Sequence, residues 1–257
     1  MRAIDLALSV ALLGSASACS SEPLQAIGLA PDTLAQQMLA HWTFDDGAGA
    51  LVHDSSGNAR DAQLTGGTWL TDGRFGGALH LGSGEFASVQ RFPDATSSFT
   101  VSAWVRTATF KQTPKDMGQW TTIVSTEDAG GWEVNVDHLA AQVGLHFGFW
   151  KGPLINDYVG ESCLGAQLNE WAMVTGVMDV TTSTYTVYLQ GVPCSVNPTP
   201  YKIRPGSATL TIGEWPRGGR FLEGDVDDIA IWGRALVPSE ILALLGTSPP
   251  SVSASAQ

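Results

Sequence analysis

In the run Phe99-Thr100-Val101-Ser102-Ala103-Trp104-Val105-Arg106 the apolar residues fall on alternate positions. Phe99, Val101, Ala103 and Val105 share one face of an extended chain, and Thr100, Ser102 and Trp104 share the other. Such alternation of aromatic and β-branched residues specifies a strand, and Trp104 among the hydroxyls means that the second face is not purely polar. The pattern returns in Thr184-Tyr185-Thr186-Val187-Tyr188-Leu189, where Tyr185, Val187 and Leu189 alternate with Thr184 and Thr186. Gln190-Gly191 then supplies a hairpin turn. Trp171 to Val177 and Leu210 to Ile212 read as further strands. Gly, Asp, Asn or Pro interrupts the chain about every 8–12 residues, the spacing of a β-sandwich. Pro238-Ser239-Glu240-Ile241-Leu242-Ala243-Leu244-Leu245 reads instead as a helix, with Pro238 at its start and Gly246 at its end. The fold class is therefore all-β, two antiparallel sheets with one short C-terminal helix, and neither a second domain nor an internal repeat is visible.

Composition agrees. The 257 residues are 44% hydrophobic and 15% charged, with 29 glycines, which suits a sizeable core of short strands and tight turns and excludes wholesale disorder. A net charge of -12 repels phosphate backbones, so nucleic acid is not an expected partner. The same acidity suits either a calcium site or a solvated acidic face.

The ends carry export signals and spacers. Residues 1–19 (MRAIDLALSVALLGSASAC) have a basic start at Arg2, an apolar Leu6 to Leu13 and small residues after it. The run is too short to span a membrane and reads as a signal peptide, with Asp5 as a departure. Ala16-Ser17-Ala18-Cys19 resembles a bacterial lipobox in which Cys19 is lipidated, although Ala16 stands where Leu is usual. Ordinary cleavage after Ala18 is the competing reading. The expected location is an outer-membrane or cell-surface lipoprotein, or a secreted protein, touching membrane only through the lipid. Residues 20–37 read as a tether, 38–247 as the domain and 248–257 as a frayed tail. With Cys19 set aside, Cys163 and Cys194 form an even pair, which in an exported chain points to a disulfide worth about 3 kcal/mol in the loop-entropy model.

Ordered motifs at both ends of the domain resemble the laminin G-like family of the concanavalin A-like lectin/glucanase superfamily. At the front stand Trp42-Thr43-Phe44-Asp45-Asp46-Gly47, Asp54-Ser55-Ser56-Gly57-Asn58, Phe75-Gly76-Gly77-Ala78-Leu79 and the run at 99–105. At the back stand Leu210-Thr211-Ile212-Gly213, Phe221-Leu222-Glu223-Gly224-Asp225-Val226-Asp227-Asp228-Ile229-Ala230-Ile231-Trp232, Arg234-Ala235-Leu236 and Glu240-Ile241. The resemblance implies a jelly-roll sandwich. It is weak for function, because this scaffold hosts lectins, adhesion modules and glucanases alike. It also implies a structural Ca²⁺ held by an aspartate of the final strand and backbone carbonyls near the first. By that match Asp228 is the first candidate ligand, with Asp45 or Asp46 contributing. On an unbroken strand Val226, Asp228 and Ala230 share a face, and a carboxylate buried there is costly unless ligated or paired. The alternative is that Asp228 caps a turn or pairs with Arg234.

Glu133-Val134-Asn135-Val136-Asp137 is the one enzymatic motif: three polar side chains on one strand face, resembling the Glu-x-Asp-x-Glu strand of jelly-roll glucanases. Asn135 replaces the central acid, and Asp137 is a methylene shorter than Glu, a poor acid/base fit. None of the five histidines has metal-ligand spacing, and no nucleophile elbow or phosphate loop occurs. Sugar binding needs flat rings beside hydrogen-bonding groups. Trp42, Trp69, Trp104 and Trp232 fall within the family motifs and read as core. Trp120, Trp150 and Trp215 lie in loop-like contexts. The runs Phe149-Trp150-Lys151-Gly152-Pro153 and Glu214-Trp215-Pro216-Arg217-Gly218-Gly219-Arg220 form a candidate ligand platform with Asn156, Asp157 and Tyr158, in which Trp150, Trp215 and Arg217 are the first candidates. The bland alternative is that these rings cover the sandwich ends. The expected function is a non-catalytic module binding a glycan or a cell-surface protein, with a glycoside hydrolase or lyase, or an envelope spacer, as alternatives.

Overall fold

The computed structural model describes residues 32–95, 97–108, 120–139 and 142–252. Cys19, the signal segment and residues 20–31 of the expected tether lie outside the described residues. A short helix α1 (Asp32–Ala35) leads into β1 (Met38–Trp42), β2 (Leu51–Val52), β3 (Ala62–Thr65), β4 (Thr68–Leu70), β5 (Ala78–Leu81), β6 (Phe86–Gln90) and β7 (Phe99–Thr107). Then follow β8 (Trp120–Ser125), β9 (Trp132–Leu139), β10 (Gln142–Trp150), a 3-10 turn (Ile155–Asp157), β11 (Tyr158–Ala166), β12 (Ala172–Asp179), β13 (Thr184–Leu189) and β14 (Val192–Pro198). The chain closes with β15 (Thr209–Ile212), β16 (Gly224–Trp232) and α2 (Pro238–Ala243).

Two antiparallel sheets face each other. The first runs β14-β13-β12-β7-β16-β5-β4, with β1 also on β16; the second runs β11-β10-β9-β8-β15-β6-β3-β2. This is the expected jelly-roll sandwich, and α1 is a second short helix that the sequence pattern did not suggest. Phe99, Val101, Ala103 and Val105 enter the core between the sheets, while Trp104 lies on the outer face of the first sheet. There α1, α2 and their neighbours cover it: Leu34, Met38, Met173, Trp232, Leu236, Ile241 and Leu244 make a second apolar layer. That layer explains why hydroxyl-bearing Thr100 and Ser102 are buried as well. Thr100 donates to the Arg234 carbonyl at 2.9 Å, and Ser102 meets Thr175 at 3.0 Å. At the Gln190-Gly191 hairpin both residues have positive φ (50° and 71°), the signature of a type I′ turn. Trp42, Trp104 and Trp232 are buried as expected, and Trp69 packs half-buried against the core.

Both ends of the domain reach further than the composition suggested. Residues 32–37 are not tether: the Leu34 carbonyl accepts the Trp232 indole N–H at 2.6 Å and the Thr33 carbonyl accepts Arg234. Nor is the expected tail free from its first residue, since Ser248 bonds Asp228 at 2.6 Å and the Val252 amide bonds the Ser55 carbonyl at 2.8 Å. Small polar residues look like spacer in sequence because their packing partners lie across the chain. No helix among the described residues is long and apolar enough to cross a membrane.

The final strand corrects the alternation assumed for it. Its register against β7 shifts between Asp227 and Ala230, and Asp228 adopts φ 43°. One extra residue is absorbed there, a β-bulge. Val226 and Ile229 therefore both face the inter-sheet core, while Ala230 and Trp232 turn to the outer layer. The bulge falls where β16 exchanges one edge partner for another, pairing β5 through Val226 and β1 from Ile229 onward.

Cys163 on β11 and Cys194 on β14 form the expected disulfide, with Cα atoms 5.6 Å apart. β11 is the edge of the second sheet and β14 the edge of the first, so one bond ties the two sheets together at their shared margin.

Candidate functional site

Strand alternation places a polar row on the outer face of the second sheet. In β9 Trp132, Val134 and Val136 enter the core, which turns Glu133, Asn135 and Asp137 outward. In β10 Val143, Leu145, Phe147 and Phe149 do the same and turn out His146 and Trp150. Across the register lie Thr122 of β8 opposite Asn135, and Gly160 of β11 opposite Gly148. The two glycines have a definite purpose. A Cβ on Gly148 would stand 2.1 Å from the Tyr158 hydroxyl, and one on Gly160 2.5 Å from His146 Nε2. Their absent side chains leave the space in which Tyr158 lies over the sheet.

These residues join end to end. The Tyr158 hydroxyl bonds Glu133 Oε1 at 2.7 Å and His146 Nε2 at 2.7 Å. His146 Nδ1 meets Ser162 Oγ at 3.0 Å, and Ser162 donates to Asp137 at 2.6 Å. Although the row faces outward, Glu133 and Asn135 are no more than 1% exposed, because a roof covers it. Trp120 stacks on His146 with ring centroids 4.8 Å apart, and Arg220 lies over both Trp120 and Trp215. Arg220 Nη1 also reaches Glu133 Oε2 at 3.2 Å, and Glu127 accepts the Trp215 indole N–H. Burial raises the Glu133 carboxyl above its ordinary range, opposed by Arg220 and the Tyr158 hydroxyl. Burial likewise lowers His146 to about 4, so its ring is neutral, and raises the Tyr158 phenol. Asn135 sits close enough to Glu133 to favour its ionised form, yet neither of its amide atoms reaches full hydrogen-bonding geometry with a described residue. Thr122 Oγ1 and the indole nitrogens of Trp120 and Trp150 also lack partners among the described residues. A buried polar atom without a partner costs stability unless a further group, such as an ordered water, meets it.

Beside this roof opens a cavity of about 500 Å³. Trp120, Trp150, Tyr158 and Trp215 line it with Glu127, Glu133, Arg217 and Arg220. Of the platform expected from sequence, Trp150, Tyr158, Trp215 and Arg217 come together. Asn156 and Asp157 do not line the cavity. Asn156 points to solvent, and Asp157 accepts the Leu154 amide at 2.8 Å, holding its own turn. Trp120, read only as a ring in a loop-like context, and Arg220, the last residue of the platform run at 214–220, join the cavity wall, whereas Glu127 and Glu133 were not part of the expected platform. The alternation in 132–137 was a sufficient signal for Glu133, once that face is assigned to binding instead of hydrolysis. Nothing local marks Glu127.

The expected calcium ligands do not converge. Asp228 turns to the outer layer, where its Oδ1 meets His41 Nε2 at 2.8 Å and Ser248 Oγ at 2.6 Å, while Arg234 pairs with Glu240. Asp46 pairs with His53. Among the described residues no three His, Cys, Asp or Glu side chains form a metal-holding group. The bulge instead turns Asp227 to the loop at 73–77: its Oδ2 accepts the Phe75 amide at 2.9 Å, and Asp45 Oδ1 accepts the Gly77 amide at 2.6 Å from the other side. Gly77 packs so tightly there that a Cβ would stand 2.8 Å from the Phe44 carbonyl and 3.2 Å from that of Leu70. Asp227 Oδ1 has no partner among the described residues, and burial, with Asp228 adjacent, pushes its carboxyl up to about 8.

The Laminin_G_3 family model, described as the concanavalin A-like lectin/glucanases superfamily, matches residues 81–242. The comparison with curated proteins gives no match. Among solved structures, the binding domain of Paraclostridial Mosquitocidal Protein 1 is similar at TM-score 0.63 and 17% identity, over 82% of this chain and 52% of that one. The botulinum neurotoxin serotype G binding domain gives 0.60 and 17%, over 81% and 50%. A botulinum neurotoxin type C structure, reported for cell entry dependent upon interaction with two ganglioside molecules, gives 0.63 and 16%, over 83% and 52%. The chain thus spans about half the length of these neighbours, and at such identity the likeness is one of fold.

Proposed function

Because the chain belongs to the Laminin_G_3 family of the concanavalin A-like superfamily, we propose that it is a non-catalytic module whose outer-face cavity binds a glycan. The observation that carries this reading is the cavity itself: four aromatic rings beside two guanidiniums and two carboxylates. Sugar C–H faces stack on rings while hydroxyls take directional bonds from charged groups. The toxin neighbours are binding domains, which supports the same reading.

Hydrolysis finds less support in the geometry. Glu133 and Asp137 lie four residues apart on β9, but Asp137 is a methylene shorter than the Glu of a two-carboxylate strand, which holds its carboxyl back from the scissile bond. Tyr158, His146 and Ser162 also occupy the gap between the two acids.

The test is a broad glycan array with the purified protein. Trp215→Ala or Trp150→Ala is expected to weaken specific binding about 30-fold, the loss typical of a central aromatic anchor, with the melting temperature little changed. Binding that survives both substitutions would move the site elsewhere. Silence across the array would favour a protein partner or an envelope-spacer role.

Two attributes extend the proposal. Export is supported by the disulfide, which suits an oxidising compartment. Cys19→Ser is then expected to abolish incorporation of labelled palmitate, and a wild-type chain that takes up none would remove the lipid anchor. For calcium we place the ion at Asp227 and Asp45 with nearby backbone carbonyls instead of at Asp228 and Asp46. An all-oxygen set with one unpartnered carboxylate oxygen suits a hard cation, whose charge would stabilise ionised Asp227.

A further inference from the structure

The hydrogen-bonded chain below the cavity imposes a proton count. Four bonds link Glu133, Tyr158, His146, Ser162 and Asp137 in series, and each bond needs one proton. Tyr158, Ser162 and neutral His146 bring one each. With both carboxylates ionised, three protons therefore serve four bonds, and one link fails. A fourth proton on Glu133 completes the series in one direction: Glu133 donates to Tyr158, Tyr158 to His146 Nε2, His146 Nδ1–H to Ser162, and Ser162 to Asp137.

Arg220 opposes that proton, because its Nη1 bonds the Glu133 carboxylate. The hold is slight. The contact is a single bond of 3.2 Å, and Arg220 Nε has no partner among the described residues. Stacking on Trp215, with the guanidinium 4.4 Å from the ring centroid, keeps the planar fork oriented at the cavity wall. A planar fork of this kind prefers a bidentate carboxylate to a single oxygen. A ligand carboxylate arriving with a proton leaves the buried charge unchanged: the ligand takes over Arg220, and Glu133 becomes neutral and completes the chain. A neutral sugar offers no such exchange. The other charged groups around the site are already engaged: Arg217 with Asp128 at 2.5 Å, Glu127 with Trp215, and Asp137 with Ser162.

We propose that the cavity takes an acidic, carboxylate-bearing glycan, and that binding is coupled to uptake of one proton by Glu133 as the ligand takes over Arg220. This rests on the glycan-binding reading above. The sign follows from linkage: an anion beside Glu133 raises its proton affinity, so ligand affinity rises as pH falls. Glu133 already stands above the ordinary carboxylate range, whereas His146, at about 4, stays neutral and Tyr158 stays protonated between pH 6 and 8.

Calorimetry of the whole protein with sialyllactose and trigalacturonate, against lactose and galactotriose, tests this at pH 6 and 8 in two buffers of different ionisation enthalpy. The acidic probes are expected to bind about tenfold more tightly than the neutral ones at pH 6 and to weaken at least about fivefold by pH 8, where full coupling sets a limit of tenfold per pH unit. The buffer comparison should show net proton uptake. Glu133→Gln, which copies the neutral acid, is expected to hold affinity at its pH 6 level throughout, and Arg220→Lys to erase the acidic preference; a melting curve for each variant confirms folding. Equal binding of acidic and neutral probes, or a pH slope that persists in Glu133→Gln, overturns the inference and leaves the glycan-binding reading standing. Failure of every glycan on the array removes both.

Discussion

Asp227→Asn is expected to stabilise the calcium-free protein at pH 8 by several kcal/mol and to change little at pH 4. The folded carboxyl holds its proton up to about pH 8 because it is buried, with Asp228 beside it. In the unfolded chain the same group ionises near its ordinary value. Between these limits the native state binds more protons than the unfolded one, so stability falls as pH rises and the full penalty is present above about 8. A shift of about four units corresponds to something on the order of 5 kcal/mol, or roughly 10 °C or more in melting temperature for a domain of this size. Asparagine has the shape of the neutral acid and can still accept the Phe75 amide, so it removes the penalty without opening a cavity. Melting curves from pH 4 to 8 for both proteins check this; parallel curves would mean that Asp227 is ionised in the native state. Calcium divides the outcome further. An ion held by Asp227 and Asp45 raises the wild-type melting temperature at pH 8 and leaves Asp227→Asn unmoved. A wild type indifferent to calcium removes the ion and leaves the pH dependence intact.

Removing the Cys163–Cys194 bond has the next largest effect. It closes a loop spanning 31 residues, for which the loop-entropy model gives about 3 to 4 kcal/mol. Its position adds to the consequence, because β11 and β14 are the edges of opposite sheets and the bond is their covalent link. The double variant Cys163→Ser, Cys194→Ser is expected to melt about 10 °C lower and to show a larger denaturant slope, since its unfolded chain is less constrained. Cys163 is buried in the core, so its serine carries an added polar-burial cost. Reduction of the native pair separates that term from the loss of the cross-link. A loss below about 1 kcal/mol on reduction would mean that packing alone holds the two edges.

The site was legible wherever its residues sit on regular strands. Alternation in 132–137 turns Glu133, Asn135 and Asp137 to one face, and the aromatic, turn-rich contexts of Trp150 and Trp215 singled them out. Glu127 carried no such mark, and the run at 214–220 gave Arg220 no role of its own, because each gains its role from a partner more than 80 residues away: Arg220 lies 87 residues from Glu133, and Glu127 lies 88 from Trp215. Asn156 and Asp157 were grouped with the platform because they adjoin it in sequence, but the turn they occupy spends the Asp157 carboxylate on its own backbone.

Local pattern was enough for the all-β class, the hairpin turn at Gln190-Gly191, the proline-started helix and the paired cysteines, since each depends on residues within a few positions or on simple parity. The choice between Asp227 and Asp228 lay beyond it. A strand read as unbroken puts Asp228 with Val226, and only the register against β7, together with the exchange of β5 for β1, introduces the bulge that sends Asp227 to the loop at Phe75, 152 residues away. Parity along a strand is set by the backbone's own geometry, whereas the place where parity breaks is set by which neighbours pair on either side.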